Sequence, residues 1–192
     1  MSRYLAGLFA VFLALPAMAE SPSYNFVQAG YQEVDLDVGG GIDVDGDGWN
    51  LGGSVEFGQN FFGYLSYSDI GFDFSVDLTQ LQVGIGWFTD VSENTSVFAR
   101  AGYAEAEVDA PGFGSADDSG YGLGIGIRSN VTELIELYGE ISYADLGDGA
   151  DSTAFGGGIY FNITDMFAVG VGASTDDDVT AYGANVRLYF GN

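Results

Sequence analysis

The chain has 192 residues, 28 acidic and 4 basic side chains, a net charge of −24, and no cysteine, histidine or lysine. That balance argues against binding nucleic acid or anionic lipid through basic patches, and the missing cysteines exclude disulfides and thiolate metal sites. With 47% hydrophobic and 15% aromatic residues the chain is too apolar for disorder, and its length fits one domain.

Met1-Ser2-Arg3 leads into an apolar run from Leu5 to Leu15, closed by Pro16-Ala17-Met18-Ala19. A short charged start, an apolar stretch and an Ala-x-Ala site before Glu20 mark an export signal. Residues 1–19 are therefore expected to be cleaved, leaving 20–192 as the domain. The run is too short to cross a bilayer as a helix, which takes about 20 apolar residues. No later run is long enough either, so any membrane span must be made of strands.

From Tyr24 to Asp35 the chain alternates loosely, with Val27, Ala29 and Tyr31 opposing Gln28, Gly30 and Gln32. Asp37 to Gly48 is rich in Gly and Asp and reads as a loop. Trp49, Leu51, Val55 and Phe57 then alternate with Asn50, Gly52, Ser54 and Glu56 before a tight turn at Gly58-Gln59-Asn60. In Phe61–Ile70, Leu65 and Tyr67 oppose Ser66 and Ser68. Leu81, Val83, Ile85 and Trp87 oppose Gln80, Gln82, Gly84 and Gly86, and a polar turn is expected at Thr89–Thr95. Val97, Ala99, Ala101 and Tyr103 come next, then an expected acidic loop over Glu107–Ser119.

The sharpest pattern lies between Gly120 and Tyr143. One face holds Tyr121, Leu123, Ile125, Ile127, Ile135, Leu137, Ile141 and Tyr143. The other holds Gly122, Gly124, Gly126, Arg128, Glu136, Tyr138, Glu140 and Ser142. Successive strand residues point to opposite faces, so this hairpin is greasy on one side and small or charged on the other. Phe155, Ile159 and Phe161 continue the alternation, as do Phe167, Val169 and Val171, and finally Tyr182, Ala184, Val186, Leu188 and Phe190.

About ten strands result, with eight as the alternative count. The fold class is all-β: a closed antiparallel up-and-down transmembrane β-barrel, lipid outside and a polar lumen within. An eleven-residue strand rising ~3.3 Å per residue and tilted ~40° spans roughly 27 Å, enough for the apolar band. Closure is obligatory, because lipid cannot satisfy an open strand edge. Short turns such as Asn130-Val131-Thr132-Glu133 and Asn162-Ile163-Thr164-Asp165 alternate with longer acidic loops. The asparagine triplets read as turn chemistry rather than glycosylation sites. Aromatics near strand ends suit interfacial girdles.

The expected mature chain has three cations, Arg100, Arg128 and Arg187, and all fall on the inward face. Inward acids within strands are Glu56, Glu136 and Glu140. On a lipid face each arginine would cost ~2–4 kcal/mol at mid-membrane. A lumen network is therefore expected: Arg128 opposite Glu136, Glu140 near the level of Arg100, and Arg187 near Glu56. Most of the remaining negative charge is expected in loops.

Asp43, Asp45 and Asp47 match the first half of a calcium loop, but its twelfth position is Ser54 where a bidentate Glu is required. An EF-hand is thus rejected, and two readings remain open: solvated loops, or divalent-cation binding by outer carboxylates. No cofactor is expected. The Gly120–Gly126 run lacks the Lys and helix of a phosphate loop.

Three segments carry a family resemblance: Tyr24–Tyr31, Gly120–Gly126 and the closing Asn185-Val186-Arg187-Leu188-Tyr189-Phe190. The chain resembles the small outer-membrane β-barrel proteins of the outer-membrane protein A and X superfamily over Tyr24–Phe190. The resemblance implies a cell outer-membrane location in a Gram-negative bacterium, with outer-membrane lipid and lipopolysaccharide as surroundings. It also implies recognition by the barrel-assembly machinery through the strand ending at Phe190, from which Gly191 and Asn192 depart. Relatives of this type usually have eight strands.

A non-enzymatic barrel with a charge-paired, largely filled lumen is expected, serving envelope structure or adhesion through acidic loops, as a monomer. The alternative is a narrow porin-like channel. The usual general base of barrel enzymes, histidine, is missing.

Overall fold

A computed structural model describes residues 20–37, 39, 43–112, 114–147 and 151–191. The expected signal segment, 1–19, lies outside them. Ten antiparallel strands follow in order: β1 (Phe26–Asp37), β2 (Asp43–Phe57), β3 (Phe61–Phe72), β4 (Val76–Ser92) and β5 (Thr95–Ala110), then β6 (Gly114–Thr132), β7 (Ile135–Asp145), β8 (Asp151–Asn162), β9 (Phe167–Thr175) and β10 (Val179–Tyr189). Each pairs with its neighbours in sequence, and β1 pairs with β10 from Phe26↔Tyr189 to Leu36↔Val179, closing the barrel. Of the two strand counts, ten is the one observed.

Alternation decides the faces. Ile85 and Ile125 are 61% and 59% exposed, while Arg128, Glu136 and Arg187 are buried. No soluble fold leaves so many aliphatics outside and its ions inside. Two aromatic belts bound the apolar band, with Phe57, Phe61, Trp87, Phe161 and Phe190 at the terminal end and Tyr31, Trp49, Tyr103, Tyr121 and Tyr182 at the other. On β2, Trp49 and Phe57 are eight residues apart. That is about 26 Å of strand, or ~20 Å along the membrane normal at a ~40° tilt.

Two segments expected as loops are strand. Asp43–Gly48 belongs to β2, in register with Gln32–Asp37 of β1. Most of Glu107–Ser119 extends β5 and β6, paired from Glu107↔Asp117 to Ala110↔Gly114. Glycine and aspartate there disfavour an isolated strand. A sheet already zipped below supplies the ladder partners that override the local preference. The turn expected over Thr89–Thr95 also shortens, since β4 runs to Ser92.

Above the second belt the two faces exchange character. Outside stand Glu33, Asp35 and Asp37 on β1, Asp45 and Asp47 on β2, and Glu107 and Asp109 on β5, all at least partly exposed. Within, β1–β5 turn Val34, Leu36, Val44, Ile70, Phe72, Leu78 and Val108 toward the cavity. The lower barrel is inside out, whereas its extension is patterned like a soluble protein.

Asparagines lace the turns at the terminal end. Asn60 Nδ2 donates to the Phe88 carbonyl at 3.0 Å, Asn94 Nδ2 to that of Asn130 at 3.0 Å, and Asn162 Nδ2 to that of Glu133 at 3.2 Å. Thr132 and Thr164 close matching turns by accepting the amides of Leu134 and Met166. These contacts give the repeated Asn-x-Thr triplets their structural role.

Candidate functional site

The lower lumen is filled. Arg128 on β6 and Glu136 on β7 reach each other diagonally, because an irregularity between Asn130 and Thr132 shifts the register. Arg128 pairs across the ladder with Tyr138, and Glu136 with Asn130, so the two are not directly opposite as expected. Their side chains still meet, with Nη2 2.8 Å from Oε1. Arg187 on β10 reaches the same Oε1 at 3.3 Å, and the Tyr189 hydroxyl donates to Oε2 at 2.7 Å. Arg187 also donates twice to Gln28 Oε1, from Nε at 3.1 Å and Nη2 at 2.7 Å. Its guanidinium lies 3.7 Å from the Tyr160 ring centroid and 4.0 Å from that of Phe26. One carboxylate thus holds two buried cations, and aromatic faces supply the remaining stabilisation of charge.

Glu56 is not a partner of Arg187. β1 runs between their two strands, and Arg187 turns instead toward Glu136 of β7. Glu56 accepts the Tyr24 backbone amide at 2.7 Å, and its own amide donates to Asn25 Oδ1 at 2.8 Å. It therefore fixes the segment preceding β1, residues 20–25, which enters the terminal mouth of the barrel. Asn130 Nδ2 donates to the Glu20 carbonyl at 2.7 Å, and Arg128 Nη1 to that of Ser23 at 2.8 Å. Tyr24, only 3% exposed, is the tip of this strap. Its ring stacks on Phe88 at 4.4 Å and Phe62 at 4.7 Å, its hydroxyl meets Ser96 Oγ at 3.0 Å, and Arg128 covers it at 4.7 Å. Tyr24 and Gln28 had no assigned role in the sequence, although their even numbers place them on the inward face.

Higher up, Arg100 Nε donates to Glu140 Oε1 at 2.6 Å, with the side chains 24% and 20% exposed. Arg100 is on β5 and Glu140 on β7, so the pair bridges over β6. Gly124 makes this possible: a Cβ there would sit 2.3 Å from Glu140 Oε1. Likewise a Cβ on Gly86 would lie 2.1 Å from the Phe62 ring. Glycines on the inner wall are seats for their neighbours' side chains.

The structure thus brings Arg100 to Glu140, brings Arg128 and Arg187 to Glu136, and leaves Glu56 to the strap. Asp43, Asp45 and Asp47 do not form a loop. They alternate along extended β2, successive ones roughly 6.6 Å apart, and Asp47 accepts a hydrogen bond from the Tyr31 hydroxyl. An extended strand is not the wrapped loop of a calcium site, and among the described residues no group of three or more acidic side chains is placed to hold a metal.

A closed barrel with an aliphatic outer band, two aromatic belts and ions confined to its lumen defines a transmembrane β-barrel. The chain belongs to the outer membrane protein beta-barrel domain family, whose model matches residues 5–190. An outer membrane channel from Pseudomonas putida F1 is similar in structure, with a TM-score of 0.60 at 11% identity over 91% of this chain and 99% of that one. The translocator domain of the autotransporter NalP from Neisseria meningitidis gives 0.54 at 13% identity over 98% and 97%. The KdgM porin gives 0.50 at 11% identity over 86% and 99%. At such identities the likeness is one of fold. No curated protein matches the chain. The protein is an outer-membrane barrel, and barrels of this kind keep termini and short turns on the periplasmic side. The strap and the Glu136 cluster therefore close the periplasmic end.

Proposed function

We propose that the protein is a non-enzymatic, non-conducting barrel that serves envelope structure and surface interaction. The observation that carries this reading is the double filling of the periplasmic half. Tyr24 inserts from the strap, and Arg128, Glu136, Arg187, Tyr160 and Tyr189 interlock beside it, each under a tenth exposed. A permeation path needs mobile water where these groups satisfy one another. Residues 1–19 serve as the cleaved signal, and cleavage before Glu20 frees the strap to enter the floor. The strand ending at Phe190 is read by the assembly machinery. The barrel acts as a monomer among outer-membrane lipid and lipopolysaccharide, presenting acidic strand tips outward without a cofactor.

Planar-bilayer recordings test this. Pure protein should give no steady current, while Tyr24→Ala combined with Glu136→Gln should open measurable conductance. Steady current from the unmodified protein would instead favour the narrow porin-like channel, the reading supported by the glycine-rich wall above the floor.

A further inference from the structure

Above the filled floor lies a cavity of about 900 Å³. That is the size of a small-molecule site. Its lining is layered. Just above the Arg100–Glu140 pair is a belt of neutral hydrogen-bonding groups that includes Gln32, Asn50, Ser66, Ser68, Gln80 and Gln82. Asn50 Nδ2 donates to Gln32 Oε1 at 3.2 Å and Ser68 Oγ to Gln80 Oε1 at 3.3 Å, and among the described residues neither glutamine uses its amide nitrogen as a donor. Above the belt, β10 and β1–β5 contribute a mainly apolar wall, with Leu36, Phe72, Leu78, Val108 and Val179 among its side chains, and the acidic Asp73 and Asp176 also line the cavity. Val108 is 41% exposed, although it points into the barrel. A wall needed only to support the strand extensions would pack shut, as protein cores do. This one encloses open space.

We infer that the vestibule binds an uncharged, elongated amphiphile from the extracellular side, polar head down on the glutamine belt and apolar chain along the upper wall. Charge selects the class. The cations nearest the cavity floor are already engaged by Glu136 and Glu140, so no free positive group awaits an anionic head. The rim carries Glu33, Asp35, Asp45, Glu107 and Asp109 on its outer face, which repels anions. A neutral amide or hydroxyl head can exchange its water for the glutamine and serine groups without a desolvated charge, and the chain leaves water altogether. This binding goes beyond the structural role proposed above. Conductance tests that role, whereas site-directed labelling tests the vestibule.

Because the chain has no cysteine, single thiols can report occupancy. Val108→Cys places one inside the vestibule, and Ser119→Cys places one on the outer face of β6. In lipid nanodiscs, octanamide should slow modification of Val108→Cys by a water-soluble maleimide several-fold and leave Ser119→Cys unchanged. Octanoate at equal concentration should protect neither. Adding Leu78→Glu to Val108→Cys should abolish protection while heat-modifiable gel mobility shows the barrel intact. Three results would each overturn the proposal: no protection by octanamide, equal protection at both positions, or equal protection by octanoate.

Discussion

The two halves of the lumen use one rule of alternation to opposite ends. In the periplasmic half, membrane surrounds the barrel, so aliphatic side chains face out and the interior holds ions, tyrosines and glycine seats. In the extracellular half, water surrounds it, carboxylates face out and the interior becomes Val, Leu, Ile and Phe. The exchange occurs within single strands: on β1 the inward series runs Phe26, Gln28, Gly30, Gln32, Val34, Leu36. What surrounds the wall, rather than the strand itself, sets which face is greasy. The polar floor is interlocked by its buried ion pairs, whereas the vestibule above it encloses open space.

The largest break in this contrast should come from Glu136→Leu. It leaves Arg128 and Arg187 buried together without their shared carboxylate, at a cost of about 3–5 kcal/mol. Urea unfolding from lipid vesicles, followed by tryptophan fluorescence, should show that loss, and Arg128→Leu should also lower thermal stability in detergent. Next is Tyr24→Ala, which removes a stacked ring from the floor and should cost about 3 kcal/mol in the same assay. Glu56→Gln, which weakens only the acceptor for the Tyr24 amide, should give a smaller loss in the same direction.

Arg100→Leu sharpens the comparison from the middle of the lumen. Its pair with Glu140 is partly wet, so the expected loss is about 1 kcal/mol. A loss as large as that of Glu136→Leu would mean the belt is as dry as the floor. The smallest effect is expected at the rim. Asp45 lies directly across from Asp35, and like charges in that position repel. Asp45→Asn should raise the unfolding midpoint slightly, and the gain should shrink at high salt.

Strand number, barrel closure and the lipid-facing side were legible in the sequence because period-two alternation is strong where one face meets hydrocarbon. Arg100, Arg128, Arg187, Glu136 and Glu140 were placed in the lumen by the same parity. The pairings of Arg128 with Glu136 and of Arg100 with Glu140 followed from parity and height along the strands, whereas the exact ladder register near Asn130 depends on a local irregularity that no residue type announces. Glu56 was misassigned to Arg187 because the strap that claims it precedes the first strand, and parity alone does not show a segment folding back. The extensions through Asp43–Gly48 and Glu107–Ser119 were read as loops because Gly and Asp disfavour strands locally. Their alternation survived, but with its polarity reversed, so a search for outward aliphatics passed over it.

The wall is also uneven in height. Beyond Tyr103, β5 continues seven residues to Ala110, while beyond Tyr182 β10 reaches back only three to Val179. At a ~40° tilt these are roughly 18 Å and 8 Å above the belt. The molecule therefore has a front and a back when seen from outside the cell. An antibody or a neighbouring cell would meet the β5–β6 crest first, while the low β9–β10 side sits close to the leaflet and leaves the mouth facing sideways.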